Sequence, residues 1–518
     1  MARPSEKLAQ SLEELHALQA RGTVAIRSAD LTRTHRERLL RGGFLQEVMK
    51  GWYIPSRLDE PAGESTAWYA SYWEFCAAYL NERFGKDWSL SPEQSLLLQT
   101  GNRSVPRQVL VRANKARNKV TAFPHGTSLF EVRAALPDGR DVVELDGLRL
   151  FSLPAALVAS APGFYTQNAT DARAALAMVR DASDILRRLL EGGHSTISGR
   201  LAGAFRNIGR ERIADEIIGT MRAADYDVRE NDPFETHPAL ILNARETSPY
   251  VNRLRLMWQE MREPVIARFP KAPGIPQDSK AYLKQVEDVY TTDAYHSLSI
   301  EGYRVNPELI ERVRKDNWNP DNNEDDRNQR NAMAARGYWQ AFQSVRASVE
   351  RVLKGENPGD VADADHRIWY REMFAPSITA GLLKPADLAG YRNDQVYIRR
   401  SMHVPPNREA VRDLMPALFE LLSDEPEPSV RIVLGHFVFV YIHPYMDGNG
   451  RMGRFLMNVM LASGGYPWTV VPVEERDAYM GALEEASVGQ NIGSFGEFLA
   501  RLVEAGLKGK PTPKVSGK

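Results

Sequence analysis

Two stretches with helical spacing of apolar residues flank a short polar segment near the C-terminus, and this is the clearest pattern in the chain. Residues 429–442 and 451–462 both carry apolar side chains at helical intervals. The polar residues between them include Gly448 and Gly450, so they predict a loop that leads into the second helix. Backbone N–H groups in the first turn of a helix have no partner within the helix. The junction therefore suits an anion such as a phosphate group.

The same periodicity predicts a mainly α protein whose N-terminal half is α+β. Near the N-terminus it predicts a helix, a second helix and a small hairpin, which is the element order of a winged helix. The predicted elements are a helix over 12–19, a second helix that begins at 28–31 and runs through 32–41, a strand–turn–strand over 44–54, helices over 67–84, 166–224 and 281–296, and several strands within 109–143.

Breaks in the pattern predict four regions. Turn-forming residues in 231–233 and 235–238 mark a linker, residues 318–326 form an acidic loop, and the tail is rich in Lys, Pro and Gly. The predicted regions are a winged-helix DNA-binding module over 1–58, an α+β and helical region over 59–235, a helical C-terminal domain over 236–507 and a disordered tail over 508–518.

The side chains of the polar segment form a set suited to phosphate chemistry. His443 can accept a proton near neutral pH. Asp447 offers hard oxygen ligands for a Mg²⁺ ion that also binds phosphates. Arg451 and Arg454 are three residues apart on the new helix, so they share a face and can contact successive phosphates.

The residues between these side chains allow close approach of a ligand. Gly448 and Gly450 permit positive φ, and Asn449 can donate from its amide. A solvated turn before a basic helix is the alternative interpretation. Two arginines at a helix N-terminus oppose the helix dipole, however, and an anionic ligand removes that conflict.

The segment His443-Pro-Tyr-Met-Asp-Gly-Asn-Gly-Arg-Met-Gly-Arg454 resembles the signature of the Fic family, with Tyr445 where phenylalanine is usual. The resemblance extends over about residues 240–505 and implies an all-helical core with a β-hairpin flap over the target peptide. The flap is expected around Gly390–Arg392, Val396, Tyr397, Ile398 and Pro405–Pro406.

This resemblance implies transfer of AMP from ATP to a Tyr, Ser or Thr hydroxyl of a target protein. His443 would act as the base and Asp447 would hold Mg²⁺ between the α- and β-phosphates. The backbone of residues 448–450 and the Asn449 side chain would cradle the developing charge. Arg451 and Arg454 would bind the β- and γ-phosphates.

A second segment, Ser297-Leu-Ser-Ile-Glu301-Gly302, resembles the inhibitory motif of many Fic proteins. Ser297 and Glu301 lie on one helix face, and Gly302 is a helix-stopping residue. The resemblance implies an inhibitory helix over about 281–302 whose glutamate pairs with Arg454 and blocks productive placement of the γ-phosphate. The alternative is an ordinary glutamate at a helix end.

The N-terminal residues 8–58 resemble the DNA-binding module of AbiEi-type bacterial antitoxins. The basic residues expected to contact phosphates or base edges are Arg33, Arg36, Arg38, Arg41 and Lys50. The alternative is a winged helix that binds protein. A second basic patch comprises Arg103, Arg107, Arg112, Lys115, Arg117 and Lys119, and a solvated sheet edge explains it equally well.

Net charge, the cysteine count and the lack of long apolar runs exclude several kinds of partner and site. The 518 residues include 66 basic and 67 acidic side chains, so there is no global attraction to nucleic acid or membrane. Cys76 is the single cysteine, which excludes an intrachain disulfide and a thiolate metal cluster. No signal sequence or membrane-spanning run is evident. We expect a cytoplasmic protein whose partners are a target protein or the chain itself, DNA, and a second copy in a homodimer.

Three functions remain open. The first is an autoinhibited adenylyltransferase with a DNA-binding module, regulated in the manner of a toxin–antitoxin system. The second is related Fic chemistry with another donor, such as UTP or a phosphocholine nucleotide, or removal of AMP from a modified target. The third is a transcription regulator that senses nucleotide without turnover.

Overall fold

The computed structural model describes residues 4–56, 64–236, 248–315, 329–510 and 513–515. The chain forms two compact units: the first comprises Met1–Leu256 and Tyr397–Val404, and the second comprises Met257–Val396 and Pro405–Lys518. The predicted region boundaries stay predictions. The boundary at 58–59, the acidic loop at 318–326 and parts of the linker and of the tail lie outside the described residues.

The N-terminal elements of the first unit follow the predicted order, with one added strand. They are α1 (Pro4–Ala20), β1 (Ile26–Arg27), α2 (Arg33–Arg41), β2 (Leu45–Met49) and β3 (Trp52–Pro55). The three strands form an antiparallel sheet in the order β1–β3–β2. A small core of Leu15, Leu39 and Tyr53 joins the helices to this sheet.

Residues 28–31 form a turn, so the prediction that they begin a helix is wrong. The Ser28 amide donates to the Gly51 carbonyl at 2.9 Å. The Asp30 carboxylate accepts from the Arg27 backbone at 2.7 Å. These bonds tie the segment to the strands, and α2 starts only after Thr32, whose hydroxyl caps the His35 amide.

The rest of the first unit is an α+β region followed by helices, as predicted for 109–143 and 166–224. A four-stranded sheet has the order β4–β5–β7–β6, with β5 and β7 parallel, and β8 pairs with β9. The elements are α3 (Thr66–Phe84), β4 (Trp88–Leu90), α4 (Pro92–Gln99), β5 (Gln108–Ala113), β6 (Lys119–Ala122), β7 (Ser128–Val132), β8 (Val142–Leu145), β9 (Leu148–Phe151), α5 (Leu153–Ala159), α6 (Gly163–Gln167), α7 (Ala169–Met178), α8 (Ser183–Gly192), α9 (Ser195–Asn207) and α10 (Glu211–Ala223).

Helices are the regular structure of the second unit, and its described residues contain no strand, which confirms the all-helical core. Helix α11 (Pro249–Ile266) enters it from the first unit. The remaining helices are α12 (Ser279–Ile300), α13 (Pro307–Arg314), α14 (Gln329–Leu353), α15 (Pro358–Thr379), α16 (Arg408–Asp424), α17 (Pro428–Ile442), α18 (Asn449–Gly464), α19 (Arg476–Val488) and α20 (Gly493–Leu507).

Helices α17 and α18 lie at the centre of the second unit. Nearly every residue of both helices is buried, including the polar His436, Arg451 and Arg454. A helix that is apolar on most faces is typical of a buried core element. The loop between these two helices is therefore anchored at both ends.

The β-hairpin predicted around residues 390–406 does not form, and that part of the prediction is wrong. Pro405 and Pro406 lack the N–H groups that a strand ladder requires. Side chains also donate hydrogen bonds to the backbone carbonyls of these prolines. Gln395 Nε2 donates to the Pro405 carbonyl at 2.9 Å, and Arg392 Nη2 donates to the Pro406 carbonyl.

In the described part of the chain, we find no helix that combines the length and the apolar character needed to cross a bilayer.

Candidate active site

The conformation of the α17–α18 loop is fixed by a histidine with left-handed backbone and by a buried arginine. His443 ends α17 with a φ of 54°, in the left-handed region that non-glycine residues seldom adopt. The buried Arg392 donates from Nε to the His443 carbonyl at 2.8 Å and from its backbone N–H to the Pro444 carbonyl at 2.9 Å. Arg392 thus supports the turn from outside it.

The imidazole of His443 is set up as a proton acceptor. Its Nδ1 lies 3.1 Å from the Val440 carbonyl, so this nitrogen carries the hydrogen and Nε2 keeps a free lone pair. The pKa of His443 is lowered to about 4, mainly by burial and also by the charge of Arg392, although the hydrogen bond to Val440 and the charges of Glu301 and Asp447 act to raise it. The side chain is therefore neutral at physiological pH.

Asn449 and Tyr445 shape the loop. Asn449 Oδ1 accepts from the Tyr445 amide at 2.9 Å, and Asn449 Nδ2 donates to the Tyr445 carbonyl at 2.7 Å. The Tyr445 ring stacks on Tyr370 with centroids 3.7 Å apart. The Asn449 side chain is buried and engaged within the loop, so it fixes the shape of the loop; its contact with a nucleotide stays a prediction.

Asp447 is the exposed carboxylate of the loop. Its side chain is 66% exposed, and Oδ2 lies 3.3 Å from Arg451 Nη2. Its Oδ1 accepts from the Gly448 amide at 2.6 Å. No group of three or more His, Cys, Asp or Glu side chains in the described ranges could hold a metal. One exposed carboxylate nonetheless fits a Mg²⁺ ion that takes its other ligands from substrate phosphates and water.

Two glycines of the loop occupy positions where a side chain would not fit. Gly448 has a φ of 83°, and a Cβ there would lie 3.0 Å from the Phe374 ring. A Cβ on Gly450 would lie 2.3 Å from Glu301 Oε1 and 3.2 Å from Arg454 Nη1. The space above Gly450, at the N-terminus of α18, is therefore occupied by a carboxylate.

Arg451 lies in the first turn of α18 and Arg454 in the second, and both side chains are buried. The Arg451 guanidinium lies 5.2 Å from the centroids of both the Tyr303 and the Phe374 rings. The Arg451 Nε and Arg454 Nη1 atoms are buried and make no hydrogen bond to any residue within the described ranges. Unsatisfied buried donors of this kind favour an anionic ligand.

Arg454 makes its contacts to the C-terminal end of α12. Its Nη2 lies 2.7 Å from Glu301 Oε1 and 3.0 Å from the Ser297 carbonyl, and its Nε donates to Ser297 Oγ at 2.9 Å. Glu301 is the C-cap residue of α12, and Gly302 follows with a φ of 85°. Within the second unit, the structure thus pairs Glu301 with Arg454, as the resemblance implied, and adds Ser297 to the contacts of Arg454.

Sequence reasoning missed several residues that support the site. Arg392 was placed in the flap, and Asp293 and Tyr338, which lie behind Arg454, were not identified. Their partners are distant in the sequence: 51 residues separate Arg392 from His443, and 45 separate Tyr338 from Asp293. No local pattern could have found them.

The predicted DNA-contacting residues lie in the first unit and differ in exposure and in their hydrogen-bond partners. The Arg33 side chain is 84% exposed and pairs with Glu37 at 2.7 Å, and Arg41 and Lys50 are exposed. Arg36 donates to the Ser28 carbonyl at 2.9 Å, and Arg38 donates to the Lys7 carbonyl at 3.2 Å. The structure gives Arg36 and Arg38 partners within the fold.

The residues of the second basic patch also differ in exposure and in their partners. Arg103 pairs with Asp146 at 2.5 Å, and the Arg112 guanidinium lies 5.2 Å from the Phe151 ring centroid. The exposed members are Arg107, Lys115, Arg117 and Lys119.

Part of the predicted flap, residues 397–404, is built into the first unit. Glu64 accepts from Arg399 Nε at 2.6 Å and from Arg399 Nη2 at 2.9 Å. The Val105 amide donates to the Met402 carbonyl at 2.8 Å. Val404 joins the buried aromatic cluster around Trp68. Tyr397 and Ile398 thus belong to this unit, whereas the buried Val396 belongs to the second.

Comparison with known proteins shows which family the residues around the site are similar to. The family model described as "Fic/DOC family" matches residues 366–461. A protein named "Protein adenylyltransferase Fic" from Nematostella vectensis is 28% identical over 269 residues, which are 51% of this chain and 58% of that protein. A protein of the same name from Drosophila willistoni is 26% identical over 276 residues, 52% of this chain and 51% of that protein. The chain thus spans little more than half the length of these curated relatives.

Solved structures of similar proteins are more distant. "Fic-1 (aa134 - 508) from C. elegans" is 22% identical, covers 63% of this chain and 90% of its own, and has a TM-score of 0.38. A Fic domain containing signaling protein from Bacteroides thetaiotaomicron is 16% identical, covers 51% of this chain and 99% of its own, and has a TM-score of 0.34. Nothing about the fold of this chain rests on these scores. The matched residues 366–461 lie outside the N-terminal region, so the resemblance of that region to AbiEi-type antitoxins stays a prediction.

Proposed function

We propose that this chain, whose residues 366–461 match the Fic/DOC family model, is a protein adenylyltransferase that moves AMP from ATP to a hydroxyl of a target protein. The observation that carries the proposal is the neutral His443 beside a helix N-terminus with two buried arginines. Relatives named protein adenylyltransferase support the same reaction.

In the proposed reaction, His443 Nε2 takes the proton of a Tyr, Ser or Thr hydroxyl. The hydroxyl oxygen forms a bond to the α-phosphorus, the bond from that phosphorus to the bridging oxygen breaks, and pyrophosphate leaves with the electron pair. A positioned base contributes about 10²–10⁴-fold to such a step. The first-turn N–H groups of α18, with Arg451 and Arg454, would bind the phosphates and stabilise their charge.

Asp447 is the residue that would hold a Mg²⁺ ion, because it presents an exposed carboxylate at the loop. A bound Mg²⁺ would neutralise phosphate charge and orient the triphosphate. The Gly448 amide donates a hydrogen bond to the Asp447 carboxylate and so orients it for the metal ion.

We further propose that Glu301 keeps the enzyme inhibited. Its carboxylate lies against Arg454 and over Gly450, where a phosphate would otherwise bind. A buried ion pair worth about 3 kcal/mol would leave about one per cent of the molecules competent.

The test is intact-mass analysis after incubation with ATP and Mg²⁺ in the presence of lysate proteins. We expect the Glu301→Gly variant to add one AMP group to itself or to a lysate protein, and the Glu301→Gly/His443→Ala double variant to add none. Glu356→Gly is the matched control, because Glu356 also follows a helix end and pairs with an arginine, at 2.6 Å from Arg351. If Glu301→Gly transfers no AMP, the assigned reaction is wrong.

The donor and the direction of the reaction are open within the same site. A panel of ATP, UTP and a phosphocholine nucleotide, read by the mass added, identifies the donor. Incubation with a previously adenylylated target tests for removal of AMP. Nucleotide binding without turnover in every arm would favour the nucleotide-sensing regulator.

For the N-terminal elements we propose DNA binding through α2 and the β2–β3 hairpin. The sheet order β1–β3–β2, with α2 directly before the β2–β3 hairpin, supports a winged helix, and the exposed Arg33, Arg41 and Lys50 supply positive charge. Duplex DNA binding measured by fluorescence anisotropy should weaken in Arg33→Ala/Arg41→Ala.

The salt dependence of binding should also fall, with a slope smaller by about 0.9 for each phosphate that the variant no longer neutralises. Arg212→Ala is the control, because Arg212 is an exposed arginine on α10 of the same unit. Absence of DNA binding by the unaltered protein would favour a winged helix that binds protein.

A further inference from the structure

We propose that Arg476 is a positioning residue for the inhibitory glutamate, because it caps the C-terminal end of α12, from which the Glu301 side chain extends. The inference rests on the proposed function, in which Glu301 lies against Arg454 where a phosphate would bind. It adds a contact outside the two sequence motifs, supplied by the residue with which α19 begins.

The C-terminal end of α12 needs partners for its last carbonyl groups. The final four carbonyls of a helix have no amide partner within the helix. In α12 the Leu298 carbonyl accepts from the Glu301 and Tyr303 amides at 3.2 and 3.1 Å, and the Ser299 carbonyl accepts from the Gly302 amide at 3.0 Å. The backbone that follows the helix thus satisfies two of these carbonyls.

The other two carbonyls accept hydrogen bonds from arginine side chains. Arg454 Nη2 donates to the Ser297 carbonyl at 3.0 Å, and Arg476 Nε donates to the Ile300 carbonyl at 2.9 Å. The Ile300 carbonyl and the Glu301 amide belong to the same peptide unit. Arg476 therefore holds the peptide unit that joins α12 to the inhibitory residue.

The positive charge of Arg476 is favourable at this end of the helix. The partial negative charge of a helix C-terminus disfavours a carboxylate such as Glu301 and favours a cation. Arg476 supplies that cation from outside α12. Without it, the Ile300 carbonyl would lose this donor, and the helix dipole would oppose the position of Glu301 more strongly.

A second contact fixes the same turn. The Val473 amide donates to His296 Nδ1 at 3.1 Å, and His296 is buried. Residues Val473–Glu475 form a single 3₁₀ turn directly before α19. The turn 297–301 is therefore bounded on both sides by contacts to residues 473–476.

The exposure of Arg476 separates it from the nucleotide site. Its side chain is 37% exposed, and that of Glu301 is 27% exposed, whereas that of Arg454 is only 3% exposed. A change at Arg476 can therefore loosen Glu301 without altering the buried arginine that binds phosphate in the proposed reaction.

The test measures AMP transfer by the full chain with Glu301 in place. We expect Arg476→Ala to raise the initial rate about fivefold over the unaltered protein, because Glu301 is then held less firmly, and to leave it below the rate of Glu301→Gly. Arg476→Lys keeps a positive charge at the helix end and should transfer AMP more slowly than Arg476→Ala. In the Glu301→Gly background, Arg476→Ala should change the rate by less than about twofold, since the glutamate through which it acts is absent.

Hydrogen exchange followed by mass spectrometry gives a second readout that needs no turnover. The amides of residues 301–303 donate within the last turn of α12. They should exchange about fivefold faster in Arg476→Ala than in the unaltered protein, because the turn opens more readily.

Arg268→Ala is the matched control. Arg268 Nη1 donates at 2.9 Å to the Pro264 carbonyl, near the C-terminal end of α11, and its side chain is 39% exposed. It thus resembles Arg476 in exposure and in its contact, but it caps a different helix. Its replacement should change neither the rate of transfer nor the exchange of residues 301–303. If Arg476→Ala does not fold, Arg476→Met keeps an apolar stem, removes the donors and should show the same rise in rate.

A rate for Arg476→Ala no higher than that of the unaltered protein, with Glu301→Gly active, would overturn the inference and leave the proposed function intact. An equal rise in the Glu301→Gly background would also overturn it, because Arg476 would then act without the glutamate. If Glu301→Gly transfers no AMP, the proposed function fails, and unchanged exchange of residues 301–303 in Arg476→Ala would overturn the positioning role as well.

Discussion

Glu301 Oε1 lies 2.7 Å from Arg454 Nη2, at the N-terminal end of α18. The same oxygen occupies the space above Gly450, where a Cβ would lie only 2.3 Å away. Arg451 and Arg454, in the first two turns, oppose the dipole of this helix. The chain therefore supplies an anion of its own, a carboxylate, to the position that suits a phosphate.

Replacement of Glu301 by glutamine should release part of the inhibition. The amide keeps the size of the side chain but loses the charge that attracts Arg454, and hydrogen bonds to charged groups are worth about 1.5–3 kcal/mol. We expect AMP transfer by Glu301→Gln to exceed that of the unaltered protein by about tenfold and to stay below that of Glu301→Gly. Initial rates with labelled ATP measure this order, and equal rates for all three proteins would contradict it.

The imidazole of His443 should titrate far below the ordinary range. Burial lowers its pKa to about 4 from the usual 6.5. A folded pKa below the unfolded one means that the group contributes stability that is complete above pH 6.5 and declines as the pH falls toward 4. NMR titration of labelled histidine, with His443→Ala to assign the signal, should show a neutral ring from pH 8 to 5.5. A midpoint near 6.5 would be inconsistent with the burial of the base.

Removal of the Tyr445 hydroxyl should stabilise the second unit. The ring is buried on Tyr370, and the hydroxyl has no hydrogen-bond partner among the residues that the structure describes. An unsatisfied buried polar group costs about 1–3 kcal/mol, so Tyr445→Phe should raise the Tm. Tyr466→Phe is the opposite case, because the Tyr466 hydroxyl donates to the Pro270 carbonyl at 2.6 Å. It should lower the Tm in the same thermal unfolding experiment.

The segment 397–404 should be released when its ion pair is weakened. Glu64 is buried and holds Arg399 by two hydrogen bonds of 2.6 and 2.9 Å. The Arg399 bonds lower the pKa of Glu64, so this contribution to stability is present above the usual pKa of 4.5 and is lost as the pH falls below it. Glu64→Gln should accelerate trypsin cleavage after Arg399 or Arg400 about tenfold at neutral pH, by making local opening easier.

The control for this experiment is Glu82→Gln. Glu82 pairs with Arg27 at 2.7 Å, but both side chains are largely exposed, and exposed pairs contribute little. Its replacement should leave cleavage of residues 397–404 unchanged. If Glu64→Gln cleaves no faster than Glu82→Gln, the ion pair does not hold the segment.

Much of the second unit was predictable because its determinants are local. The apolar periodicity placed α17 and α18, and the glycines at 448 and 450 marked the turn between them. Ser297 and Glu301 share a face by helical spacing alone, and Gly302 ends that helix with a positive φ. The hairpin that the resemblance implied around residues 390–406 does not form, because Pro405 and Pro406 lack the amide donors that a strand ladder requires.

The sequence by itself determined the helices, the loop between α17 and α18, and the kinds of side chain that this loop presents. Those properties depend on residues within a few positions of one another. Only the tertiary structure decided that Glu301 meets Arg454 across 153 residues, that Tyr338 donates to Asp293 across 45, and that Glu64 pairs with Arg399 across 335. The physical reason is that packing selects partners from the whole chain, and a buried charge is stable only beside the partner that packing brings to it.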